Sequence, residues 1–160
     1  METGLVLKHI KNLIWDNRAD INTCMQQYYG NGLEAVYLGD QRIVPQGIAV
    51  CVMEANSNTK WGATRAYDVT YNVDIRCQAR HTDKEAIWTM ISDFGDAVQR
   101  LVNTPSNLSF LEEEDDRSVN IYASLTGPRT RPVVVGSLIV CQMSWTGFEW
   151  IGDQNYLSED

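Results

Sequence analysis

Between Arg65 and Ala79 every second residue is large or apolar: Tyr67, Val69, Tyr71, Val73, Ile75, Cys77 and Ala79. The residues between them are small or polar: Ala66, Asp68, Thr70, Asn72, Asp74, Arg76 and Gln78. Period two over this length predicts a long strand with one buried and one wetted face. The pattern breaks at His81. Thr82-Asp83-Lys84-Glu85 then forms a capping box, in which Thr82 accepts from the Glu85 amide and Glu85 reaches back to the Thr82 amide. Beyond it the period changes. Ala86, Ile87, Met90, Ile91, Phe94, Val98, Leu101 and Val102 recur at three- and four-residue steps, one stripe of a helix that Pro105 closes. A strand running straight into a helix of matching apolar face is the unit around which the remaining chain must pack.

The chain has 160 residues, enough for one domain with its own core. A hydrophobic fraction of 44% and a charged fraction of 21% are those of an ordinary globular protein. No apolar run approaches the roughly 20 residues that span a bilayer, and Met1 to Leu5 show no basic stretch ahead of an apolar one, so neither a membrane partner nor a secretory leader is expected. Cys24, Cys51, Cys77 and Cys141 are scattered and form no CxxC pair. They read as reduced thiols packed as small hydrophobes, which implies folding in the cytosol.

Taken in order, residues 3–16 read as an amphipathic helix with Thr3 as N-cap, its apolar set running from Leu5 and Leu7 to Ile14 and Trp15. Residues 18–47 read mostly as connection, with a short strand at Glu34 to Leu38. The continuous apolar run Ile48 to Ala55 predicts a central strand. Asn56 to Lys60 reads as a polar loop joining it to the long alternating strand in an antiparallel pair. Glu112 to Asp116, five acids in a row, read as a solvated loop, Val119 to Leu125 as a strand, and the segment carrying Arg129 and Arg131 as a turn. Val133 to Trp150 reads as a second long strand, with Val133, Val135, Ile139, Cys141, Met143 and Trp145 on one face and bulges or bends at Gly136 and Gly147. The expected architecture is α+β: a mainly antiparallel β-sheet flanked by two helices, one domain over residues 1–150, then a flexible acidic tail over 151–160.

Signatures of chemistry are sparse. The sequence has no GxxxxGK[ST], HExxH or GxSxG, and Gly30-Asn31-Gly32 does not join a strand to a helix as a dinucleotide fingerprint requires. Of the two histidines, His9 has no ligand partner at helical spacing, and His81 reads as a junction residue. Asp68 and Asp74 share a face but stand roughly 20 Å apart, too far for a carboxylate pair. No catalytic, cofactor-binding or metal-binding residue is therefore assigned, and no enzymatic activity is expected. Tyr67, Tyr71 and Trp88 read as core or sheet-face residues. Trp145, Phe148 and Trp150 read as internal packing, with a subunit interface as the alternative. A net charge of −8 disfavours gripping a nucleic-acid backbone, yet suits a surface past which nucleic acid slides.

The cassette TRAYDVTYNVDIRCQARHTDKEAIWTMISDFGDAVQRLV and the segment VVVGSLIVCQMSWTGFEW, following an amphipathic N-terminal helix, resemble the tail terminator (tail completion) proteins of long-tailed bacteriophages. The likeness runs over roughly residues 3–150, is architectural, and extends in outline to other neck and head–tail joining proteins. It implies a structural virion protein assembled in the host cytoplasm. It implies a homo-oligomer, a hexameric ring at the head-proximal end of the tail tube, that stops tube polymerisation and joins the head–tail connector. DNA would pass through its lumen unbound. Within that picture Glu112, Glu113, Glu114, Asp115 and Asp116 of one subunit are expected to face Arg129 and Arg131 of the next. Asp68, Asp74 and Arg76 are expected to face the lumen or a neighbouring subunit, and loop 56–64 to meet the tail tube. The alternatives are another connector, such as a head-closure protein, and a small α+β enzyme or ligand-binding domain with its pocket between sheet and helix.

Overall fold

A computed structural model describes residues 2–25, 32–39, 47–61, 67–80, 84–104, 109–112, 117–126, 130–136 and 138–151. The fold is α+β, with ten elements in the order α1 (Glu2–Asp16), α2 (Arg18–Met25), β1 (Leu33–Leu38), β2 (Gly47–Trp61), β3 (Tyr67–Arg80), α3 (Lys84–Asn103), β4 (Ser109–Glu112), β5 (Arg117–Thr126), β6 (Val133–Val135) and β7 (Leu138–Ile151). The strands form one open seven-stranded sheet in the order β1-β2-β3-β7-β5-β4, with β6 pairing a further stretch of β7. Every described pairing is antiparallel except β1 with β2, which is parallel.

The alternating segment is β3, and its predicted buried face is found, while Arg76 and Gln78 of the opposite face are buried as well. Tyr71, Val73, Ile75, Cys77 and Ala79 are each fully buried beneath the helices. The stripe of α3 meets them: Ile87, Met90, Ile91, Phe94, Val98 and Val102 lie in the same core cluster. Burying each large side chain contributes about 1.5–3 kcal/mol, so this contact is a main source of the domain's stability. Helix α1 adds Val6, Ile10 and Ile14 to the cluster, with Leu7 and Leu13 packed at its margin. The predicted central strand is also found, between β1 and β3: Ile48 to Val52 are all buried, Ile48, Val50 and Val52 in the helix-side core and Ala49 against Leu138, Val140 and Tyr37 on the other face.

Several expectations are corrected. Glu2 already lies within α1, so Thr3 is a helical residue and not the cap. Residues 18–25, read as connection, form a third helix. It follows α1 across a single turn residue, Asn17, whose Nδ2 donates to the Leu13 carbonyl at 2.8 Å and whose carbonyl accepts from the Ile21 N–H at 3.2 Å. The junction is also held by Arg18, which donates to the Trp15 carbonyl at 2.8 Å and stacks over its ring. Strand β2 does not stop at Ala55. A bulge between Glu54 and Asn56 shifts the register by one residue, and the strand continues to Trp61, still paired with β3. Residues 56–61 of the expected tube-contacting loop are therefore strand, and its remainder lies outside the described residues.

The last long strand is in fact a hairpin. Gly136, at φ 59, reverses the chain between β6 and β7, so that Val135 faces Leu138 and Val133 faces Val140. Positive φ at the first position of a two-residue loop is the geometry of the primed hairpin turns, for which glycine is suited. Val133 and Val135 thus leave the buried face assigned to them. Trp88 is likewise corrected: it is 42% exposed on the outer side of α3. The Thr82 half of the capping box, His81, and the tail beyond Ile151 lie outside the described residues. No described helix is long and apolar enough to cross a membrane.

Candidate assembly surfaces

The two faces of the sheet differ in chemistry because β3 alternates. On the face away from the helices, antiparallel register sets Asp74 opposite Ser144 and Asn72 opposite Thr146. Each pair is hydrogen-bonded: Ser144 Oγ donates to Asp74 Oδ1 at 2.9 Å, and Thr146 Oγ1 bonds Asn72 Oδ1 at 3.0 Å. These side chains are partly exposed, so the middle of this face is a rigid polar ladder lying open. Asp74 is where the alternation placed it. The backbone of Asp68 continues the row, between Lys60 on β2 and Trp150 on β7, and its side chain lies outside the described set.

Arg76 departs from expectation. It is 6% exposed and therefore belongs to no open lumen-facing or subunit-facing surface of the isolated chain. Its Nε donates to Gln78 Oε1 at 3.0 Å, and its Nη2 lies 3.7 Å from Cys51 Sγ. Gln78 is fully buried. Beside these polar residues sits a second small apolar cluster, Ala49, Leu138 and Val140 with Tyr37 against it. The physical reason is lateral packing: neighbouring strands supply apolar residues on both sides, so this end of the far face is covered whatever the polarity of β3.

The expected contact between the acidic run and the arginines joins one subunit to the next, and of its residues only Glu112 and Arg131 are among those described. Glu112 ends β4, paired in register with Arg117, while Arg131 is exposed ahead of β6. Glu113, Glu114, Asp115, Asp116 and Arg129 lie outside the described residues. Among those described, no group of three or more potential metal-ligating side chains comes together.

Two constellations escaped the sequence reading. On the helix-covered face Glu149 is 2% exposed and accepts from the Tyr71 hydroxyl at 2.8 Å. The signal was present: stepping by two from Cys141 through Met143, Trp145 and Gly147 lands on Glu149. Trp145 is the second. Its Nε1–H donates to the Val102 carbonyl at 3.2 Å, satisfying one of the orphan acceptors at the end of α3. Its ring lies over Gly147, where any Cβ would overlap it. Thr126 completes the clasp, as Gln99 and Asn103 of α3 both donate to its hydroxyl, at 3.0 and 2.8 Å. The Trp-Thr-Gly segment is thus the point where helix and sheet are locked.

No protein-family profile matches the sequence, and no curated protein matches it significantly. One solved structure aligns over 90% of this chain and 95% of its own length, at 13% sequence identity and a TM-score of 0.41, a likeness too loose to carry a function.

Proposed function

We propose that the chain is a structural virion protein, a tail terminator that forms a ring at the head-proximal end of a phage tail tube. There it ends tube polymerisation and joins the tail to the head connector. The observation that carries this reading is the two-sidedness of the long β2–β3–β7 unit. One face is buttressed by α1 and α3, and the middle of the other is an open hydrogen-bonded polar ladder. A ring wall needs that division: a rigid back and an extended polar front without a gripping cationic patch. The net charge of −8 supports passage of DNA through the lumen without adhesion. The resemblance of the strand–helix cassette to tail terminators supplies the particular role.

Light scattering coupled to size exclusion, with electron microscopy of the same fractions, tests the assembly; closed rings are expected, alone or on tube ends. Particles lacking the protein test the role. Overlong, headless tails are expected, whereas normal tails on leaking heads would move the assignment to head closure. A stable monomer that captures a small molecule would overturn both in favour of a ligand-binding domain.

A further inference from the structure

Strand β6 is an exposed apolar edge of the sheet. Val133, Val134 and Val135 are 44%, 50% and 37% exposed, and β6 pairs with β7 on one side and with nothing described on the other. Exposed edges are ordinarily blunted by charge, proline, a bulge or shortness; β6 is short and follows Arg131 and Pro132, yet its three valines themselves carry no charge or bulge and lie open. The patch is continuous with the small apolar cluster of the far face, since Val133 and Val135 stand opposite Val140 and Leu138. Arg131, also exposed, stands just ahead of it.

We propose that this edge receives the segment Asp153 to Asp160 of a second copy of the chain. Tyr156 and Leu157 would lie against the valines as an added strand, with Asp153, Glu159 and Asp160 near Arg131. The choice of a second copy rests on the ring reading, and reach and chemistry support it. Strand β7 begins beside β6 at Leu138 and ends at Ile151, which at about 3.3 Å per residue places Ile151 roughly 40 Å from β6. Fully extended, the chain from Ile151 to Leu157 covers only about 20 Å. A copy's own Tyr156 and Leu157 therefore fall short of its own β6, while those of a neighbour are free to reach it. In chemistry the segment DQNYLSED sets an aromatic–aliphatic pair between acids and contains no basic residue. That composition complements valines beside an arginine. Strand addition supplies main-chain hydrogen bonds as well, and a contact between unlike surfaces propagates into a ring or an open chain.

The test uses the full chain with a photo-reactive benzoylphenylalanine in place of Leu157. Light and heavy-isotope copies are mixed, irradiated and mapped by mass spectrometry. Light–heavy cross-links to residues 131–135 are expected. Their yield should fall about tenfold in the double variant Val133→Glu, Val135→Glu, as expected when like charge replaces a central apolar contact. Both positions are exposed, and circular dichroism of the variant is recorded alongside to check that it is folded. Cross-links confined to one copy, cross-links elsewhere, or a yield unchanged in the variant overturn the proposal. Light scattering on the same samples separates the two readings: rings without this cross-link remove the arm and leave the ring, while cross-linked open chains do the reverse.

Discussion

Three residues near the end of β7 show how much of the fold depends on single atoms. The Tyr71 hydroxyl is the donor to the buried Glu149 carboxyl, and removing it strips one partner from a group that water does not reach. Tyr71→Phe should cost about 1–3 kcal/mol, read as a lowered denaturant midpoint with an unchanged slope. Gly147 is sensitive for a steric reason. A methyl there meets the Trp145 indole, and forcing it in costs about 1–3 kcal/mol through a displaced ring and a weakened bond to Val102. The two sites are in contact, so their effects should not add. Gly147→Ala in a Trp145→Leu background should cost less than in the native chain. Equal costs in both backgrounds would show that the collision is not what requires glycine.

At the scale of elements, legibility followed periodicity. β3 and α3 were readable because each holds one period for four or more repeats and packs on the other. The Ile48–Val52 run was readable because a strand covered on both faces has nothing to alternate. The second half of β2 was not readable: Asn56 to Lys60 is polar throughout, and the bulge at Ala55 breaks the phase linking it to the first half. Helix α2 is eight residues long, and its propensity is weak; packing against α3 and β1 supports it where local sequence does not. The β6–β7 hairpin has a local signal, since Gly136-Ser137 between apolar runs is a two-residue hairpin pair, but the valine and isoleucine pattern running across it masks the turn. Arg76 departs from expectation because alternation tells which face a residue takes, not how the side chains of neighbouring strands close around it. Gly136 gives this scale its own prediction. A Cβ there meets nothing within 4 Å, so only the backbone opposes substitution. Gly136→Ala should cost about 1–2 kcal/mol and Gly136→Asn less, by thermal unfolding. Equal costs would mean that the turn is held by something other than φ.

For the whole molecule, the proposed ring requires strongly acidic copies to come together. Each carries a net charge of −8, and at about 0.01 M salt the screening length of roughly 30 Å lets entire subunits repel one another. At about 0.15 M it is roughly 8 Å, and only charges in local contact still interact. The edge proposed to join copies is mainly apolar, with a single described arginine beside it, so screening removes more repulsion than attraction. The self-association constant measured by sedimentation should therefore rise as salt is raised between those two concentrations and then level off, because the valine contact is itself insensitive to ions. The Val133→Glu, Val135→Glu variant should be weaker at both salts and should gain more from the increase, since screening also weakens the new repulsion at the edge. Association that falls steadily with salt would identify ion pairs as the dominant contact. It would move the interface away from β6 and toward the acidic segment Glu112 to Asp116.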